Sequence, residues 1–228
     1  MKKVSAIVCA FNEEQTLENV LRSVSKSPLI NETIVVNDGS VDQTGDIIDS
    51  LKQTIEIKVI HFPKNKGKGF AMATGVENAT GDIITFIDAD LVNLKEVHFA
   101  KLLTPIIDKE ADMVLGQPTE TLINYSVNPF KSFTGERSVL KQDILLIIDK
   151  MKHSRFGVET LINMFYQSEG KKVKYVMLSG LIHPTKFEKV SKQQAVIEFI
   201  KEGQQIALSV LNNYDLAVKS LKKLILIK

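Results

Sequence analysis

Two aspartates one residue apart, in Asp88-Ala89-Asp90, close the apolar run Ile83-Ile84-Thr85-Phe86-Ile87. β-branched and aromatic residues favour a strand there, so the two carboxylates fall at a strand's carboxyl end. In open α/β sheets that edge is where ligands bind. Two hard oxygen ligands suit Mg²⁺ or Mn²⁺ carrying phosphates. The competing reading is a solvated turn after a strand, and the rest of the chain has to decide between them.

Three more strand candidates precede this one: Val4 to Ala10, Thr33 to Val36 and Ile55 to Ile60. The first, second and fourth read as near-continuous apolar runs, as parallel strands covered on both faces do. Between them, apolar residues recur at helical spacing: Leu17, Val20, Leu21 and Val24; Ile47, Ile48 and Leu51; Phe70, Ala73 and Val76. Alternating strands and helices imply βαβ crossovers and a mostly parallel α/β sheet. Parallel strands share a direction, so their polar ends share a rim. The ends are Phe11-Asn12-Glu13-Glu14, Asn37-Asp38-Gly39-Ser40, the basic loop Pro63 to Gly69, and Asp88-Ala89-Asp90. Acids, a Gly-rich basic loop and helix N-termini together make a phosphate-binding rim.

In Gly67-Lys68-Gly69 the glycines permit close approach to a diphosphate and Lys68 adds a charge; an ordinary exposed turn is the alternative. Lys64 and Lys66 read as solvated. Asp42 reads as a cap for the helix that follows. Glu159, in Phe156-Gly157-Val158-Glu159, starts a helical pattern. A carboxylate there suits a general base in an inverting reaction, or simply an acid favoured by the helix dipole. Cys9 reads as a small core residue, and His61, His98 and His153 as structural.

The chain has 228 residues, 44% hydrophobic and 25% charged, enough for one domain with a sizeable core. A net charge of +2 gives no reason to expect nucleic acid as partner. The single cysteine excludes an internal disulfide framework. No secretory signal pattern and no apolar run long enough to span a bilayer is present, so a cytoplasmic setting is expected.

Four ordered segments, VSAIVCAFNEE, IVVNDGSVDQT, NKGKGFAMATG and GDIITFIDADL, make the chain resemble family 2 glycosyltransferases of the GT-A fold. FTGERSVLK, FGVETLI and LIHPTKFEK are similar to a narrower glucosyl-3-phosphoglycerate synthase-like and dolichyl-phosphate-sugar synthase-like subset. The resemblance implies a Rossmann-like, mostly parallel sheet with flanking helices. It also implies metal-assisted transfer of a sugar from a UDP- or GDP-sugar to a small-molecule or lipid-phosphate acceptor. Asp90 would be the direct Mg²⁺ or Mn²⁺ ligand, and Asp88 would contact the ribose or the metal's water. Ala10, Phe11, Asn12 and Glu13 would lie along base and ribose, although Asn12 and Glu13 read equally as helix caps. Asp38 would read the base edge, or else cap the Asp-Gly-Ser turn; the acid that the family carries before it is Asn37 here. Gly135 and Arg137 would line the acceptor pocket, Arg137 reading equally as a structural ion-pair partner of Glu136 or Glu159. His183 would complete the metal shell.

On this reading residues 1–116 form the nucleotide-sugar half of one domain, 117–188 the acceptor half and 189–228 a helical tail. A fifth strand is expected at Met113 to Gly116, then a long loop over 117–138, helices over 138–151 and 157–168, and a late strand from Lys172 to Leu178. In the tail Ala207, Leu211, Tyr214, Val218, Leu221 and Ile225 recur at helical spacing. Such a stripe suits packing on its own domain, a homodimer, or peripheral contact with an anionic membrane at its inner face. Competing functions are a nucleotidyltransferase, or a nucleotide-sugar-binding module without turnover.

Overall fold

A computed structural model describes residues 2–120, 135–154, 157–182, 203–204 and 207–226. Its centre is a seven-stranded sheet: β1 (Val4–Ala10), β2 (Glu32–Asn37), β3 (Lys58–His61), β4 (Ile83–Asp88), β5 (Met113–Glu120), β6 (Arg137–Leu140) and β7 (Val173–Ile182). The spatial order is β3-β2-β1-β4-β6-β5-β7. β6 runs antiparallel to both neighbours; every other pairing is parallel. This is the GT-A, Rossmann-like arrangement expected, and strands from both halves of the chain join one sheet.

The helices are α1 (Leu17–Lys26), α2 (Thr44–Leu51), α3 (Lys68–Asn78), α4 (Glu96–Ile107), α5 (Lys141–Ile144), α6 (Ile148–His153), α7 (Val158–Glu169) and α8 (Tyr214–Leu226). Alternate residues of β1 and β4 serve opposite faces, as strand geometry requires. Ala6, Val8, Ala10, Ile83 and Ile87 pack with α1, α2 and α4, while Ile7, Ile84 and Phe86 pack with α3 and α7. Gly75 lets α3 lie directly on Ile7, where a β-carbon would collide. That close approach seats α3, whose first residue is Lys68, directly on the sheet.

The structure departs from the expected elements and adds one. The third strand lies later than expected, because only Lys58–His61 pairs with β2. Residues 138–140 are strand: β6 inserts antiparallel between β4 and β5 inside the stretch expected as loop and helix. α4 was not anticipated. It carries His98, wholly buried, whose Nδ1 accepts from the Lys95 amide at 3.1 Å and whose Nε2 donates to the Ser179 carbonyl at 3.0 Å.

The described part of the tail packs on its own domain, and over 207–214 it does so by a different face from the expected stripe; the side chains of Leu221 and Ile225 lie outside the described residues. Ala207, Leu211 and Tyr214 point outward, and Ser209, Asn213, Leu216 and Ser220 point inward. Small polar residues win because they bond the neighbouring helix: Ser209 Oγ donates to the Gly157 carbonyl at 3.0 Å and Ser220 Oγ to Gln167 Oε1 at 2.9 Å. Among the described residues no helix is long and apolar enough to cross a membrane.

Candidate active site

β1 lies between β2 and β4, with β2 leading outward to β3, so the strand order reverses at β1. Such a switch point opens a crevice at the carboxyl ends of the strands. Pairing brings those ends level: Ala10 sits beside Asn37, and Cys9 beside Asp88. The loops above are stitched together. Asn12 adopts φ 58°, a left-handed conformation that asparagine tolerates, and its Oδ1 accepts from the Val41 amide at 2.9 Å. The Glu13 amide donates to Thr44 Oγ1 at 2.8 Å. α1 starts at Leu17, four residues beyond Glu13, whose carbonyl accepts from the Leu17 amide at 3.1 Å. Ala10 is buried with its carbonyl accepting from the Asp38 amide, while Phe11 stays 43% exposed at the crevice mouth.

Asp38 organises the basic loop. Its carboxylate accepts from Asn65 Nδ2 at 3.0 Å, from the Lys66 amide at 2.7 Å and from the Gly67 amide at 2.9 Å, and it is nearly buried. The carboxylate expected to read the base edge thus also shapes the loop at 65–67. Gly39 makes this possible, because at φ 72° its bare α-carbon meets the backbone of Lys64 and Asn65. Asn37 shows what an amide does where the resembled family has an acid. Its Oδ1 accepts from the Ser40 amide and its Nδ2 lies 3.0 Å from His61 Nδ1. Lys66, expected to be solvated, sits over the rings of Phe62 and Phe70, 4.9 and 4.4 Å from their centroids, a favourable cation–π placement. Asp42 supports α2 as expected, its Oδ1 accepting from the Thr44 amide at 3.0 Å.

Lys68 is the first residue of α3, after Gly67 at φ 95°. A helix N-terminus disfavours a cation, so this lysine needs compensation, and it has two carboxylates. Its Nζ lies 2.9 Å from Asp88 Oδ1 and 2.7 Å from Glu159 Oε1. Glu159 comes from the first turn of α7, so the triad joins β4 to helices from both halves of the chain. Burial by itself lowers the lysine's pKa; the charges of Asp88 and Glu159, and hydrogen bonds to both, outweigh it and hold the ammonium well above its ordinary range. Cys9 lies beneath, its thiol pushed up to about 12 mainly by burial, so it stays protonated and unreactive.

Gly135 and Arg137, expected at the acceptor pocket, stand against this cluster. β6 pairs Arg137 with Phe86, and continuing that antiparallel register two residues sets Gly135 across from Asp88. A β-carbon at Gly135 would overlap the Asp88 carboxylate. Arg137 is fully buried, its Nη1 donating at 3.2 Å to the Glu159 carbonyl and to Asn163 Oδ1. Those two bonds brace α7 beneath Glu159.

Ala89 is buried, its carbonyl accepting from Thr16 Oγ1 at 2.9 Å, and Asp90 is partly exposed. His183 lies outside the described residues; the residue before it, Ile182, is bridged to Val92, two positions beyond Asp90. Among the described residues no three His, Cys, Asp or Glu side chains cluster as a complete metal cage. The donor set still fits a divalent cation that shares its shell with substrate phosphates. Asp88 and Asp90 offer hard carboxylate oxygens one residue apart at the rim, and Asp88 already pairs with a cation, the Lys68 ammonium.

Fold and site together define an α/β protein with an acidic, lysine-bearing crevice at the sheet's switch point. The glycosyl transferase family 2 profile matches residues 5–179, and the chain belongs to that family. It is 32% identical over 118 residues to the glucosyl-3-phosphoglycerate synthase of Mycobacterium tuberculosis, covering 48% of this chain and 35% of that protein. It is 34% identical over 116 residues to the dolichol-phosphate mannosyltransferase of Pyrococcus furiosus, covering 50% and 32%. The matches thus span about a third of those relatives' length. The crystal structure of the mycobacterial synthase with Mn²⁺, UDP and glucosyl-3-phosphoglycerate superposes with a TM-score of 0.72 at 20% identity, over 92% of this chain and 79% of that one. A second structure of that enzyme holds Mg²⁺ and UDP.

Proposed function

We propose that the chain is a divalent-metal-dependent glycosyltransferase that moves a sugar from a UDP- or GDP-sugar to a small or lipid-borne phosphorylated acceptor. The carrying observation is the Lys68 cluster: one buried-edge ammonium held between Asp88 and Glu159 at the switch point of a family 2 chain. Each member has a task in that reaction. Phe11 offers an exposed face to base and ribose. Asp38 acts through the loop it shapes, turning Lys66, Gly67 and Lys68 toward the diphosphate. Lys68 meets phosphate charge directly. Asp90 and Asp88 would hold Mg²⁺ or Mn²⁺, with His183 as the proposed further ligand. The bound metal would supply Lewis-acid stabilisation of the leaving nucleoside diphosphate. Glu159, reaching the crevice from α7, is placed to take the acceptor's proton. The relatives' names support a phosphorylated acceptor, and the single cysteine supports a reducing, cytoplasmic setting.

Hydrolysis of UDP- and GDP-sugars with and without Mn²⁺ tests the reading and separates it from a binding module without turnover. Asp90→Ala is expected to lose at least about 100-fold in metal-dependent turnover, roughly 2.7 kcal/mol of transition-state stabilisation, with an unchanged circular-dichroism spectrum. A near-normal rate in that variant removes Asp90 from the metal site.

A further inference from the structure

We infer that Lys68 is a tethered counter-cation that occupies the metal's carboxylate until a nucleoside diphosphate draws it away, so that metal binding is coupled to the nucleotide. The inference rests on the donor-and-metal reading above. Its observation is the dual contact of one ammonium, 2.9 Å from Asp88 Oδ1 and 2.7 Å from Glu159 Oε1. The three side chains are only 23%, 17% and 14% exposed. At such a partly desolvated site charges interact more strongly than in bulk water. A divalent ion approaching Asp88 therefore meets an ammonium already seated on that carboxylate, and must displace it against both attraction to Glu159 and repulsion from the lysine.

The backbone supplies the exit. Lys68 stands at the N-terminus of an eleven-residue helix, whose dipole favours an anion in front of it and disfavours a cation on it. An ammonium has three N–H donors, so a diphosphate oxygen can compete for it. When the diphosphate arrives, Lys68 exchanges a carboxylate for a phosphate and Asp88 becomes available to the metal. The same exchange frees the Glu159 carboxylate from its ion pair with the ammonium. Gly135 keeps Asp88 within the lysine's reach, because any β-carbon there would push the carboxylate aside. Coupling of this kind is reciprocal, so metal should favour nucleotide as much as nucleotide favours metal.

The test is Mn²⁺ binding followed by electron paramagnetic resonance, without and with UDP or GDP, the metal–nucleotide complex in solution being measured separately. Wild-type protein should bind Mn²⁺ alone weakly and gain about tenfold or more with nucleotide. Lys68→Met and Lys68→Gln should bind Mn²⁺ alone about tenfold more tightly than wild type and lose most of the nucleotide-dependent gain. Lys68→Arg, which keeps a cation in place, should resemble wild type. Circular dichroism confirms folding of each variant. Unchanged or weaker metal-alone affinity in the folded Met and Gln variants, with nucleotide stimulation intact in wild type, overturns the counter-cation. Absence of nucleotide-stimulated Mn²⁺ binding in the wild-type protein overturns the donor-and-metal reading instead.

Discussion

A glycine and an aspartate contribute to one another's function across the β4–β6 strand pair. Asp88 sits where it does because Gly135 has no side chain. Alanine adds one β-carbon there, and the nearest atoms it meets are those of the Asp88 carboxylate. Gly135→Ala should displace the Asp88 carboxylate, and small misplacements in a site of this kind cost up to about 100-fold in rate. Mn²⁺ binding in the presence of nucleotide should weaken by about tenfold or more while the thermal midpoint stays close to wild type. Wild-type metal binding in the alanine variant would show that Asp88 relaxes freely and that Gly135 does not shape the site.

At the scale of elements, the loop between β3 and α3 owes its shape to Asp38 on the neighbouring strand. Three donors converge on one carboxylate, two of them backbone amides next to Lys68. Asp38→Asn keeps the size but turns an N–H toward those donors. Hydrogen bonds to charged groups contribute about 1.5–3 kcal/mol each, and an unmet buried donor carries a similar penalty. A loss of about 3 kcal/mol is expected, lowering the thermal midpoint by roughly 6–12 °C for a chain of this size. Amide exchange at Lys66 and Gly67 should accelerate in step with weaker nucleotide binding. If exchange there is unchanged while nucleotide affinity falls, Asp38 touches the base directly, as the family resemblance implied.

Over the whole molecule, α7 ties the second half of the chain to the Lys68 cluster. It presents Glu159 to Lys68, is braced beneath by Arg137 and is clasped on the other side by the tail, where Lys219 pairs with Glu169 at 2.6 Å. Burial pushes the Arg137 pKa down and the neighbouring Glu159, Asp88 and Glu136 oppose it, so the guanidinium keeps its charge inside the protein. Removing one partner of a buried ionic cluster costs about 3–5 kcal/mol. Arg137→Met should therefore melt roughly 6–20 °C below wild type. A variant that melts normally yet loses acceptor-dependent turnover would return Arg137 to the acceptor pocket.

Much of the first half of the chain is legible in the sequence because its signals are local. Continuous apolar runs mark doubly covered strands, and Val4 to Ala10 and Ile83 onward appear where that rule places them. Parallel direction then carries Asn12, Asp38, Lys68 and Asp88 to one rim without further information. What the sequence could not express is pairing between distant segments. Arg137-Ser138-Val139-Leu140 has no run long enough to announce a strand; it is one because β4 and β5 each present an edge to it. From that single insertion follow the contact of Gly135 with Asp88 and the burial of Arg137. The tail's stripe misled for a related reason: helical periodicity identifies a helix, but the partner surface chooses the face, and α7 offered hydrogen-bonding groups that Ser209 and Ser220 meet better than Leu211 or Tyr214. The amino acids by themselves determined which chemical groups reach the rim. Only the tertiary structure decided which of them bind one another, because a carboxylate's partner is set by the position of elements far apart in the chain.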